Sequence, residues 1–265
     1  MKGRVLIVAG SDSGGGAGVQ ADIKAVTAMG GFAATAITAL TAQNTEGVFG
    51  VVPVDPPFIV KQIEVVLSDI GADALKTGML HSAAVIAAVA GAFNSHARGV
   101  PLVVDPVMVA KGGHRLLLGD AEAAMRDILL PMASLITPNL PEAEVLAGFP
   151  VSVEADMRRA AERLAALGAK AVLMKGGHLA GDRVVDLLFQ AGRFERFEDA
   201  RIASRNTHGT GCTLASAIAA GLAQKMSLGD SVARARSYVR EAIATAPGFG
   251  RGHGPLNHAV TIKQG

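Results

Sequence analysis

The chain has 265 residues, of which half are hydrophobic by the AVILMFWYC count and only 4% are aromatic. This length suits one α/β unit whose core is packed by aliphatic side chains. With 25 basic and 23 acidic residues the net charge is only +2, which disfavours a nucleic acid partner, and the single cysteine excludes an intrachain disulfide and a cysteine-based zinc site.

No targeting or membrane-spanning segment is recognisable in the sequence. The apolar run at residues 5–9 is too short for a signal peptide. The longest apolar stretch, at residues 83–93, has about half the length of a membrane span. The sequence therefore predicts a soluble, cytoplasmic protein.

Short apolar runs alternate with longer amphipathic segments, which is typical of β–α–β units on a mainly parallel sheet. Buried strands are predicted at residues 4–9, 32–40, 74–76, 102–105, 135–137 and 171–174. Residues 48–54 alternate strongly enough to predict an edge or antiparallel strand. Residues 184–189 and 194–197 predict a hairpin joined through Ala191 and Gly192.

Helices are predicted between these strands. The clearest spans residues 152–167, with Ser152 as N-cap and Gly168 at its end. The other helices are predicted at residues 18–29, 56–70, 212–223 and 228–245, with an irregular tail from residue 247. Because no internal repeat and no linker is visible, we expect residues 1–265 to form a single domain.

A glycine-rich segment follows the first strand and leads into a helix. Residues 9–18 read Ala-Gly-Ser-Asp-Ser-Gly-Gly-Gly-Ala-Gly. Such a loop can turn backbone N–H groups toward a ligand, and the start of the helix favours an anion. A mobile surface loop is the other interpretation, but five glycines at a strand end favour a loop that covers a ligand.

Two common nucleotide motifs are weak or missing. Residues 16–21 match the loose G-x-G-x-x-A dinucleotide pattern, but the second strand ends at Thr-Ala-Gln (residues 41–43) rather than at the acid that would hold a ribose. The chain has no G-x-x-x-x-G-K-[ST] motif, so any ATP must be held in another way.

The segment Asn-Thr-His-Gly-Thr-Gly-Cys at residues 206–212 is the strongest functional signal. Glycines before a helix let consecutive N–H groups converge, where the helix dipole helps to stabilise a transferring phosphoryl group. Cys212 falls in the first turn of that helix, where a thiol pKa tends to fall. A lone cysteine can instead be a small buried hydrophobe.

Two acids follow predicted strands. Asp105 ends a strand before Pro106, and Glu142 stands after Pro141 at a helix start, so both could hold Mg²⁺ at one edge of the sheet. Simpler explanations exist for each: a turn-forming Asp before Pro, and capping of the helix by Asn139 and Glu142.

Lys175, before two glycines, offers a cation for phosphate at the same edge, unless it is an ordinary surface lysine. Four other histidines show no metal-ligand spacing and receive no role: His81, His114, His253 and His258.

Together these motifs resemble the hydroxymethylpyrimidine/phosphomethylpyrimidine kinases of thiamine biosynthesis, which are ribokinase-like enzymes. The similarity covers nearly the whole chain, and several motifs in one order are more specific than any single glycine loop. They lie at residues 9–22, 38–45, 76–80, 105–111, 137–143, 175–178 and 206–213. One departure is Gly112-Gly113-His114, where the family more often has a serine or an acid.

The resemblance implies a ribokinase-like three-layer α/β/α sandwich with a mainly parallel central sheet. It also implies a pyrimidine pocket in which the Gln43 amide pairs with the adjacent donor and acceptor of an aminopyrimidine. By resemblance, the other residues of this pocket are Gly10, Asp22, Met79 and Val107.

The resemblance assigns the rest of the site as follows. Mg²⁺ would be supported by Asp105 and Glu142, and the phosphates of ATP would contact Lys175, Asn139 and Thr207. The anion hole would be formed by Gly209, Thr210, Gly211 and Cys212, with Cys212 where most ribokinase-like sugar kinases carry an aspartate base. The family is typically a homodimer that phosphorylates first an alcohol and then the monophosphate.

Three other functions stay open at this point. The nearest is a pyridoxal/pyridoxine kinase of the same superfamily. A non-catalytic sensor of the pyrimidine belongs to another class, although Asp105, Glu142, Lys175 and Cys212 together speak against it. An NAD enzyme is the most distant.

Overall fold

The structure, a computed structural model, describes residues 1–109, 116 and 119–262. Its strands are β1 (Arg4–Asp12), β2 (Phe32–Gln43), β3 (Val48–Pro53), β4 (Ala74–Thr77), β5 (Leu102–Val104), β6 (Leu135–Ile136), β7 (Ala171–Lys175), β8 (Arg183–Gln190) and β9 (Arg193–Ala200). Its helices are α1 (Gly18–Ala28), α2 (Pro56–Asp69), α3 (Ala83–His96), α4 (Ala121–Ala124), α5 (Leu140–Ala147), α6 (Glu154–Ala166), α7 (Thr210–Ala223) and α8 (Leu228–Ala244). The departure at residues 112–114 lies outside the described residues.

Within the described residues the strands form one sheet in the order β3-β2-β1-β4-β5-β6-β7-β8-β9. The six strands from β2 to β7 in this order run parallel. Strand β3 is antiparallel at one edge, and the β8–β9 hairpin is antiparallel at the other. The predicted mainly parallel sheet, the antiparallel edge strand and the hairpin are therefore confirmed.

Both faces of the sheet are covered by helices. In β1, Val5 and Ile7 pack into the apolar layer of α1, α7 and α8, while Leu6 and Val8 pack into the opposite layer with α2, α3, α5 and α6. A central strand buried on both faces needs an unbroken apolar run, which is what the sequence of β1 supplies. The three-layer α/β/α architecture is thus confirmed.

The first two strands run three residues further than the apolar pattern predicts. Strand β1 continues past an irregularity at Ala9–Ser11 and pairs Asp12 with Thr41 of β2. The backbone ladder carries these polar residues, which a search for apolar runs overlooks. As a result Asp12, Thr41 and Gln43 lie together at the edge of the sheet.

Helix α6 begins later than predicted. Its N-cap is Val153, not Ser152. The N–H and the hydroxyl of Ser152 both donate to Asp156 Oδ2, at 3.1 and 3.2 Å, so an acid of the first turn reaches back to the chain before the helix. Among the described helices, none is long and apolar enough to cross a membrane.

The irregular tail is fastened to the core by His258. Its side chain is 8% exposed, and its Nε2 lies 2.9 Å from Thr213 Oγ1 of α7. Tyr238 of α8 donates to the His258 carbonyl oxygen at 3.0 Å. Burial and the charge of Lys24 lower the pKa of His258 to about 4, so the imidazole is neutral and accepts from Thr213.

This burial predicts a loss of stability in acid. Unfolded His258 takes up a proton near pH 6.5, whereas the folded form resists protonation down to about pH 4. The free energy of unfolding should therefore lose roughly 3 kcal/mol from this residue as the pH falls from 6.5 to 4. Urea unfolding followed by circular dichroism measures it, with His258→Gln as the non-titrating control. Equal pH dependence in both proteins would refute the assignment.

Candidate active site

A cleft of about 1010 Å³ lies at the carboxyl ends of the parallel strands, where open α/β sheets form ligand sites. The predicted site residues that line it are Gly10, Gln43, Met79, Asp105, Val107, Asn139, Glu142, Lys175, Thr207, Gly209, Thr210, Gly211 and Cys212. The structure therefore brings together residues from every motif that the sequence singled out.

Asp22 is the exception, because it lies beneath the cleft. It is fully buried, and its two carboxylate oxygens accept hydrogen bonds from Lys76 Nζ at 2.8 and 2.9 Å. Ser216 of α7 donates to the same carboxylate at 2.7 Å. Asp22 does not line the cleft of this structure, because α1 turns it toward the sheet, where it neutralises a buried lysine; its place in the pyrimidine pocket stays a prediction.

Lys76 is a residue that sequence reasoning missed. Burial lowers the pKa of its ammonium group, but attraction from Asp22, Cys212 and Asp105 outweighs this effect and raises the pKa above its usual range. The group is therefore a permanent positive charge under the cleft floor. A lysine in the middle of an apolar strand is the sequence signal that could have found it, since a buried ammonium needs a paired acid.

The start of α7 forms a cradle of main-chain groups. Its N-cap Gly209 has φ +80°, and a Cβ there would collide with the carbonyl oxygen of Gly16. Only glycine fits, so the two glycine-rich loops touch through their backbones. Two residues of the first helical turn, Gly211 and Cys212, line the cleft, where the dipole of the helix favours an anion.

Lys175 and two carboxylates lie beside this cradle. Its Nζ is 3.0 Å from Asp105 Oδ1 and 3.9 Å from Glu142 Oε2. A Cβ on Gly211 would lie 3.1 Å from the same Nζ, so an anion at the helix start would also meet Lys175. Burial lowers the pKa of Lys175, but the attraction of Asp105 and Glu142 raises it overall, and the lysine stays charged.

Asp105 and Glu142 also fit a divalent cation. Burial and the nearby Asp105 raise the pKa of Glu142 to about 7, against the opposing attraction of Lys175. Both carboxyl groups thus lie beside the Lys175 ammonium. Mg²⁺ prefers such hard oxygen donors and keeps several waters, so two carboxylates are enough when phosphate supplies the rest. In the described residues no cluster of three His, Cys, Asp or Glu residues forms a larger cage.

Asn139 has a structural role that the sequence predicted. Its side chain accepts from the Glu142 N–H at 2.9 Å, and Glu142 Oε2 accepts from the Asn139 N–H at 2.8 Å. This capping box holds the Glu142 carboxylate at the start of α5. The predicted capping is confirmed, and it positions one of the two acids of the cluster.

Another part of the cleft is lined by Gln43, Gly10, Met79 and Val107. A Cβ on Gly10 would lie 2.8 Å from Met79 Cε, so the glycine leaves room for the methionine. Sequence reasoning missed Asp12 and His208 here, which stand 3.0 Å apart between this part and the cradle. An acid within the glycine run and a histidine within the 206–212 motif were the available signals.

Cys212 lies in the first turn of α7, as predicted, but its thiol is not activated by that position. Burial, with the charges of Asp22 and Asp105, raises the pKa of Cys212 to about 12. Lys76 and a hydrogen bond from the Gly18 N–H act in the opposite direction and are outweighed. The expectation of a lowered thiol pKa is therefore wrong, because enclosure beside two acids exceeds the influence of the helix start.

Comparison with known proteins gives consistent matches. Residues 12–257 match the phosphomethylpyrimidine kinase family. The chain is 54% identical over 262 residues to the thiamine biosynthesis bifunctional protein ThiED of Geobacter sulfurreducens, which covers 99% of this chain and 53% of that protein. The chain thus spans about half the length of this relative.

Two further matches cover nearly the whole of this chain and of the protein with which it is compared. The hydroxymethylpyrimidine/phosphomethylpyrimidine kinase of Bacillus subtilis is 45% identical, with 96% of this chain and 94% of that one covered. The solved ADP complex of Bacillus subtilis pyridoxal kinase superposes with a TM-score of 0.90 and 34% identity, covering 98% of each chain. The two chains thus share one fold.

The buried pair predicts a structural role for Asp22. Asp22→Asn leaves the Lys76 ammonium without a counter-charge and should lower the free energy of unfolding by about 3–5 kcal/mol. Chemical denaturation measures this loss, and the double variant Asp22→Leu/Lys76→Met, which removes both charges, should recover most of it. Full stability of Asp22→Asn with selective loss of aminopyrimidine affinity would return Asp22 to the ligand pocket.

The raised thiol pKa predicts an unreactive cysteine. With a pKa of about 12, Cys212 should react with iodoacetamide at pH 8 roughly 10³-fold more slowly than an ordinary thiol. Because the chain has one cysteine, mass spectrometry of the whole protein reports this site alone. The urea-unfolded protein is the control, and rapid labelling of the folded protein at pH 7 would contradict a neutral thiol.

Proposed function

Because the chain belongs to the phosphomethylpyrimidine kinase family, we propose that it phosphorylates 4-amino-5-hydroxymethyl-2-methylpyrimidine with ATP and then phosphorylates the monophosphate, giving the diphosphate used for thiamine. The observation that carries the proposal is the main-chain cradle at the start of α7 beside Lys175 and its two carboxylates. The same cleft also carries Gln43.

In the first step the hydroxymethyl oxygen attacks the γ-phosphorus of ATP, the bond to the β–γ bridging oxygen breaks, and ADP leaves. The N–H groups of Gly211 and Cys212 and the Lys175 ammonium stabilise the charge on the transferring phosphoryl group. In the second step an oxygen of the bound monophosphate attacks a second ATP in the same way.

Cys212 orients the substrate hydroxyl in this proposal. A neutral thiol with a pKa of about 12 can accept a hydrogen bond from the alcohol and hold it in line with the γ-phosphorus. The hydroxyl proton passes to solvent water as the bond to phosphorus forms, and such loose transition states need little base assistance.

Asp105 and Glu142 are the proposed ligands of Mg²⁺, directly or through its water shell. The ion would neutralise charge on the β- and γ-phosphates when bound. Asn139 and Thr207 are the proposed further contacts of the nucleotide. Both line the cleft near Lys175 and the cradle at the start of α7.

A homodimer in the cytoplasm, with residues 1–265 acting as one domain, completes the proposal. An exposed apolar strip supports the dimer: Leu40 and Val52 face each other across β2 and β3, with 49% and 63% of their side chains exposed, and Phe49 lies on the same edge strand. An uncovered apolar edge is typical of an interface. The free thiol of Cys212 suits a reducing compartment.

Pyridoxal kinase activity is the second candidate, favoured by the close superposition with the Bacillus subtilis pyridoxal kinase. The identity of 34% to that protein is lower than the 45% to the pyrimidine kinase of the same organism. Gln43 also offers a donor and an acceptor side by side, which an aminopyrimidine edge complements. The pyrimidine is therefore the preferred substrate.

Parallel turnover assays test the substrate. With ATP and MgCl₂, ³¹P NMR should show first the monophosphate and then the diphosphate of the pyrimidine, with a higher kcat/KM than for pyridoxine. Lys175→Met should lower kcat by about 10²–10³, since it removes a charge from the transition state. A higher kcat/KM for pyridoxine would favour the second candidate, and tight pyrimidine binding without turnover would indicate a sensor.

A further inference from the structure

A buried histidine, His208, lies between Gln43 and the start of α7. His208 Nε2 lies 3.0 Å from Asp12 Oδ2 and 3.1 Å from one terminal atom of the Gln43 amide. His208 is 7% and Asp12 2% exposed. The ring also packs on the glycine-rich loop, where a Cβ on Gly16 would lie 2.5 Å from its Cδ2. The imidazole thus contacts both the Gln43 side chain and the glycine-rich loop.

The carboxylate of Asp12 decides which ring nitrogen of His208 carries hydrogen. Its oxygens already accept from the N–H groups of Gly14, Gly16 and Ala17 at 2.8, 3.0 and 2.8 Å. Burial raises the pKa of Asp12, but the bonds from His208 and the backbone outweigh this and lower it, so the group is ionised. An ionised carboxylate only accepts. His208 Nε2 must therefore carry a hydrogen and donate to it.

This assignment decides one end of the Gln43 amide. With the amide nitrogen facing His208, two donors would meet at 3.1 Å. A rotation of 180° about the last side-chain bond exchanges nitrogen and oxygen without moving anything else. The amide oxygen then faces His208 and shares the Nε2–H.

Thr41 decides the other end independently. Its hydroxyl donates to the Ser11 carbonyl oxygen at 2.9 Å, which can only accept. Thr41 Oγ1 therefore has only lone pairs left for the second amide atom of Gln43, which lies 3.3 Å away. That atom must be the NH₂ group. The histidine at one end and the threonine at the other require the same orientation.

We propose that His208, held by Asp12, and Thr41 are positioning residues that set the orientation of the Gln43 amide and with it the direction in which the pyrimidine ring binds. The cleft is then offered the amide oxygen on the His208 side and one N–H on the Thr41 side. This inference rests on the proposed function for its substrate, but the amide orientation itself does not.

The orientation predicts the order of the ring atoms. The 4-amino group donates to the Gln43 oxygen on the His208 side, and ring N3 accepts from the N–H on the Thr41 side. The 5-hydroxymethyl carbon adjoins the 4-amino carbon, away from N3. The reacting hydroxyl is thus directed past His208 toward Gly209 and Cys212, which follow His208 in the same segment.

A crossed comparison of variants and analogues tests this order. His208→Phe and Thr41→Val each remove one partner of the amide while keeping a side chain of similar shape. Calorimetry without ATP measures the Kd of the pyrimidine, of an analogue with hydrogen in place of the 4-amino group, and of one with C–H in place of N3. In the wild-type protein each analogue should bind about 10-fold more weakly than the parent compound.

In His208→Phe, loss of the 4-amino group should cost less than about 3-fold, while loss of N3 keeps most of its cost; Thr41→Val should show the mirror image. The opposite pairing would mean that the amide is turned the other way and would overturn the proposal. Equal costs in all three proteins would show that neither residue orients Gln43 and would also overturn it.

A second measurement uses only the ligand-free wild-type protein. With ¹⁵N-labelled histidine and glutamine, the spectrum should show hydrogen on His208 Nε2, and the Gln43 amide hydrogens should lie near the Thr41 methyl group. A bare Nε2, or amide hydrogens next to the His208 ring, refutes the inference whether or not the variants fold. A wild-type protein with the expected spectrum but no pyrimidine binding would instead refute the proposed function.

Discussion

The buried ion pair of Lys76 and Asp22 is the interaction on which the geometry of the cleft depends. An ammonium group with no exposure in the middle of a sheet is costly unless it is fully paired. Asp22 of α1 supplies both oxygens, and Ser216 of α7 binds the same carboxylate. The pair thus joins β4 to the two helices whose first turns follow the glycine-rich loops. The two glycine-rich loops are in contact because the ion pair fixes α1 and α7 side by side.

The same pair shapes the electrostatics above it. Lys76 favours the thiolate form of Cys212, but burial, together with the charges of Asp22 and Asp105, outweighs this effect and the thiol stays protonated. Farther along the cleft, Asp105 and Glu142 both lie beside Lys175. The site therefore holds two kinds of group next to each other: the main-chain groups and Lys175 at the start of α7, and the carboxyl groups of Asp105 and Glu142 beside that lysine.

The sequence was informative wherever a feature is local. Apolar runs predicted the strands within a few residues, and glycines beside strand ends predicted the loops, because turn chemistry and burial act over short stretches of chain. Contacts between distant segments could not be predicted in this way. Asp22 pairs with a residue 54 positions away, and Asp12 with one 196 positions away. The pKa of Cys212 was missed for the same reason, since its helix position is local but the neighbouring acids come from other elements.

The contact between Gly209 and Gly16 has a consequence for how such a protein can change. At the phosphoryl end the walls are peptide groups pressed against one another, and a side chain added at Gly209 would collide with Gly16. Almost no other residue is therefore tolerated at position 209. Around Gln43, Met79 and Val107 the walls are side chains, and a different side chain there changes the shape of the cleft without moving the backbone contact. A change of the molecule that the cleft accepts is therefore expected to come from substitutions around Gln43, while the backbone contact of Gly209 with Gly16 is kept.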